Sequence, residues 1–72
     1  MNQPTPEQAA AVVAFAEREG GQWKTKLHMN WMMASYPDDP KSGHLLQQVR
    51  NQLGPEWLER VTLPQLKLIA EG

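Results

Sequence analysis

The side chains able to do chemistry in this sequence are few and poorly placed for it. His28 and His44 are the only histidines, and histidine is the side chain that ordinarily titrates near neutrality. Ser35 follows His28 by seven positions. On a helix that is about two turns, so the two share a seam without being within hydrogen-bond reach. A nucleophile needs its base in direct contact, so this is no dyad. Asp38 and Asp39 are the one adjacent pair of carboxylates, set in a turn between Pro37 and Pro40. An exposed pair lacks the burial that tunes a carboxyl towards neutral pH. The chain has no cysteine, which excludes disulfides and thiolate metal sites. Two histidines without supporting carboxylates do not make a structural zinc site. Gly20 and Gly21 are followed by Gln22, Trp23 and Lys24, which matches no phosphate-binding loop. We therefore expect no catalytic residue, no cofactor and no metal, and a chain that is not an enzyme.

What remains is recognition, and two groups of residues could supply it. Met29, Met32, Met33 and Tyr36 recur at steps of three, one and three. At about 100° per residue they share one side of a helix. Methionine is unbranched and adaptable, and with tyrosine it is enriched where proteins meet. This side is the expected contact face for another protein or for a second copy of the chain, a homodimer. The other group would serve DNA. Lys24 and His28 lie on the same helix, with Lys41 and Arg50 further on as further phosphate contacts. Gln47, Gln48 and Asn51 carry amides of the kind that read adenine edges. A dimeric helix-turn-helix regulator is thus the alternative function. Against it stands a long acidic connection where that motif has a tight turn.

The helix that must position both groups spans 22–36. Trp23, Leu27, Trp31 and Ala34 form a second apolar stripe on it, opposed to the methionines. A surface helix ordinarily has one such stripe. Two stripes mean that it is packed on both sides or that one side awaits a partner. Pro37 is expected to end this helix, because the residue before a proline is pushed out of the helical region.

The other elements follow from local signals. Thr5, Pro6, Glu7 and Gln8 spell a capping box that opens a helix over 6–19, closed by Gly20 and Gly21. Ala9, Val12, Val13 and Ala16 form its inward stripe, with Phe15 at the edge. A third helix over 43–53 presents Leu45, Leu46, Val49 and Leu53. Gly54 and Pro55 then form a corner into a short helix over 55–60. Thr62 and Gln65 repeat the capping box ahead of a last segment, 63–70, with Leu63, Leu66, Ile69 and Ala70 on one stripe; an extended tail is the alternative there. No stretch alternates long enough to be a strand. The fold expected is an all-α bundle of three main helices with one or two short C-terminal ones. Residues 5–72 form one domain behind a loose tail, 1–4. The three indoles, Trp23, Trp31 and Trp57, should close a single core.

Composition sets outer bounds. Seventy-two residues allow one core, and a core this small nets only about 3–5 kcal/mol. The formal charge is −1, with both signs interspersed, which argues against bulk attraction to nucleic acid or anionic lipid. The longest apolar run, 9–16, is eight residues, too short to span a bilayer. It has no basic residue ahead of it and no signal-peptide character. We expect a cytoplasmic protein with no membrane contact.

Overall fold

The computed structural model describes residues 3–36 and 39–72. Within them the fold is all-α: α1 Pro6–Glu19, a 3-10 turn Gly20–Gln22, α2 Trp23–Met33, α3 Pro40–Arg60 and α4 Leu63–Ala70. There is no strand among the described residues.

Both expected capping boxes form. Thr5 Oγ1 accepts from the Gln8 backbone N–H at 3.1 Å, and Gln8 Oε1 takes the Thr5 N–H at 3.0 Å. Thr62 and Gln65 repeat this at 3.3 and 2.9 Å and open α4. The segment 63–70 is therefore helical and not extended. Gln8 does more than cap. It is buried, and its amide nitrogen donates to Gln48 Oε1 at 3.3 Å and Gln52 Oε1 at 3.4 Å. The same side chain thus starts α1 and ties it to α3. Pro4, expected in the tail, is buried; Met1 and Asn2 lie outside the described residues.

The helix boundaries depart from expectation in two places. α2 stops at Met33, not at 36, because Ala34 takes a left-handed conformation (φ 51°, ψ 40°) and its N–H returns to Asn30 and Trp31. Pro37, the expected stop signal, lies outside the described residues, as does Asp38. α3 starts at Pro40, ahead of the expected 43, because the Asp39 carboxylate accepts from the Ser42 N–H at 3.3 Å and Pro40 is already suited to a first helical position. That hydrogen bond holds the Asp39 carboxyl below its ordinary range. At Gly54 (φ 81°, ψ 173°) α3 breaks and restarts from Pro55, which is the expected corner.

The core draws on every helix. Ala9, Val12, Phe15 and Ala16 come from α1; Trp23, Leu27 and Trp31 from α2; Leu46, Val49, Trp57 and Leu58 from α3; Leu66 from α4. The three indoles do share this core. Trp31 also donates its indole N–H to the Leu46 carbonyl at 3.0 Å, locking α2 against α3. The hub is α1, which packs on α2, α3 and α4, whereas among the α-helices of the described residues α2 packs on α1 and α3 only. The small alanines of α1 let its neighbours approach closely. So α2, greasy on two flanks, has only one of them covered.

Candidate docking face on the second helix

The uncovered flank of α2 carries Met29, Met32 and Met33, which are 53%, 75% and 67% exposed. Their exposure follows from the helix period. With Trp23, Leu27 and Trp31 turned inward, positions 29, 32 and 33 point away. Met29 and Met33, with Phe15, Glu19, Lys26 and Asn30, line a shallow depression of about 210 Å³ between α1 and α2. Its rim is charged. Glu19 Oε2 meets Arg18 Nε at 3.3 Å, and Glu19 Oε1 meets Lys26 Nζ at 3.4 Å. Arg18 first and Lys26 second hold the Glu19 carboxyl below its ordinary range. Arg18 also stands 5.4 Å over the Phe15 ring.

Tyr36 does not join the methionines. It is half-buried against α3, where its hydroxyl donates to Gln47 Oε1 at 2.6 Å. Its Cβ lies 3.0 Å from where a side chain on Gly43 would begin. Burial pushes the phenol up, and the Arg50 charge partly offsets that. The left-handed Ala34 makes this possible, since one more turn of helix would carry Tyr36 onward along α2. The four residues expected on one face are thus three exposed methionines and one tyrosine clasping α3.

The residues expected for DNA are dispersed and largely occupied. Lys24 Nζ donates to the Glu59 carbonyl at 3.3 Å and sits 5.7 Å from the Trp23 ring. Lys41 lies 3.9 Å from Glu7. Gln47 is held between Tyr36 and Asn51, the latter at 3.1 Å. Gln48 turns the other way, towards Gln8 and His44. His28, Arg50 and Asn51 are exposed.

No group of three or more histidine, cysteine, aspartate or glutamate side chains could hold a metal ion among the described residues. No helix among them is long and apolar enough to cross a membrane.

One feature escaped the sequence reading. Leu68 is 69% exposed, beside a depression of about 450 Å³ between the end of α3 and α4. The signal was present: Leu68 falls off the stripe of Leu63, Leu66, Ile69 and Ala70.

No protein-family model, no curated protein and no solved structure matches this chain.

Proposed function

We propose that this chain is a small helical protein-interaction module, an adaptor, inhibitor or regulatory subunit, that docks through the methionine flank of α2. The observation that carries the reading is the exposure of Met29, Met32 and Met33 on a helix whose other flank is core. Clustered adaptable apolar side chains in water are a stored driving force for association. The depression between α1 and α2 offers an anchoring point beside them.

A second copy is the less favoured occupant. A stable pairing covers about 800 Å² on each partner, against 4598 Å² of accessible surface for the whole chain. A helix of 11 residues, about 16 Å long, does not supply that alone. Self-association through α2 alone is therefore weak, and a larger protein that also grips α1 is the better fit.

The test is a double variant, Met29→Glu with Met33→Glu. Affinity capture from the native host should recover a protein with the parent chain and lose it with the variant. Sedimentation of both chains reads self-association directly. A variant that keeps every partner and the parent's sedimentation overturns the reading. DNA binding through Arg50 and Asn51 would instead show as a gel shift that weakens steeply with salt.

A further inference from the structure

The depression between the end of α3 and α4 differs in charge from three others on the surface. Each of those includes both a cation and at least one carboxylate in its lining. This one includes Arg60 and no carboxylate among the described residues. Arg60 makes no ion pair among the described residues. Gln65 spends its carbonyl oxygen on the Thr62 N–H, which leaves its amide nitrogen as a free donor. Trp57 also lines the depression, and its indole N–H has no acceptor among the described residues. Among the described residues no buried side-chain nitrogen or oxygen goes unpartnered, so that N–H reaches solvent. Arg60, Gln65 and Trp57 thus offer donors with one full positive charge, beside the Gln3 amide, which both donates and accepts, and set against the apolar surface of Ile69 and Leu68.

We infer that this depression binds a small carboxylic acid with an apolar body. Its volume of about 450 Å³ falls in the range of small-ligand sites. The apolar body lies on Trp57, Leu68 and Ile69, and the carboxylate takes the Arg60 guanidinium. A carboxylate is favoured over a neutral amide because arginine binds it through charge-assisted, often paired hydrogen bonds. The site is separate from the methionine flank and stands or falls independently of it.

The probe is 4-phenylbutyrate, with 4-phenylbutyramide as its neutral match, titrated into the ¹⁵N-labelled chain while the three indole N–H signals are followed. The expected result is a saturable shift of the Trp57 signal, with the amide binding about two- to fivefold more weakly, the worth of an exposed ion pair. Arg60→Gln should abolish the preference for the acid. Leu68→Glu, which adds a carboxylate to the wall, should weaken the acid and spare the amide. Both residues are exposed, and circular dichroism verifies that each variant folds. Equal affinity for acid and amide, an unchanged preference in Arg60→Gln, or no saturable shift at millimolar probe overturns the proposal. So does tight binding of a peptide ending in phenylalanine when phenylbutyrate fails, since the site would then belong to a partner's chain end.

Discussion

Tyr36 shows how one side chain governs its surroundings here. Its folded-state pKa is raised, so the native state holds the phenol proton more tightly than the unfolded chain does. The stability tied to this is fully present below the ordinary value of about 10 and is lost as pH rises through the folded value. Denaturation followed between pH 8 and 11 should show this decline, and Tyr36→Phe should remove it. At neutral pH that variant should lose about 0.5–1.5 kcal/mol, the usual net worth of one hydrogen bond. The methionines should behave in the opposite way. Met29→Glu with Met33→Glu should leave thermal stability within about 0.5 kcal/mol per substitution, since neither residue is in the core. Leu27→Ala, at a fully buried position, should cost about 2–5 kcal/mol in the same melt. A large loss in the methionine variant would mean that the flank is part of the fold after all.

At the level of elements, the glycines separate conformational need from convenience. Gly54 sits at φ 81°, ψ 173°, a region essentially confined to glycine, with open space around it. Gly54→Ala should therefore cost about 1–3 kcal/mol through backbone strain alone. Gly21, with equal space and no positive φ, should accept alanine without loss. Gly43 presents a third case. Alanine there favours the helix by up to about 1 kcal/mol, but its Cβ would stand 3.0 Å from Tyr36 Cβ. That neighbour is fixed near its own backbone and cannot swing aside. Gly43→Ala should displace Tyr36 and lower its tyrosine protection in alkaline titration, whatever happens to helix content.

On the scale of the whole molecule, the chain is already collapsed. Its radius of gyration is 10.8 Å, against about 11 Å expected for this length. The exposed methionines are therefore not the sign of a loosely packed chain; the four helices have no further surface to cover them. All three indoles and the phenylalanine fit inside, so the shortage of interior falls on the methionines and Leu68. A chain of this size with a small core gains most from being bound. A captured partner at a hundredfold its dissociation constant should raise the chain's stability by about 2.7 kcal/mol, readable as a higher melting temperature. That rise should vanish in the methionine variant.

The amino-acid sequence alone determined the class of fold, most helix ends and the identity of the core. Those signals are local: Thr5 with Gln8, Thr62 with Gln65, and the Gly54–Pro55 corner each act within three or four residues, and apolar periodicity marks an inward face wherever that face goes. Tertiary structure alone decided that α1 is the hub, that Tyr36 turns onto α3 and that Arg60 overlooks a depression with no carboxylate among the described residues. Each of these depends on contacts between segments far apart in the chain. Periodicity says that two flanks of α2 are apolar, but only the arrangement of the other helices says which flank is left in water.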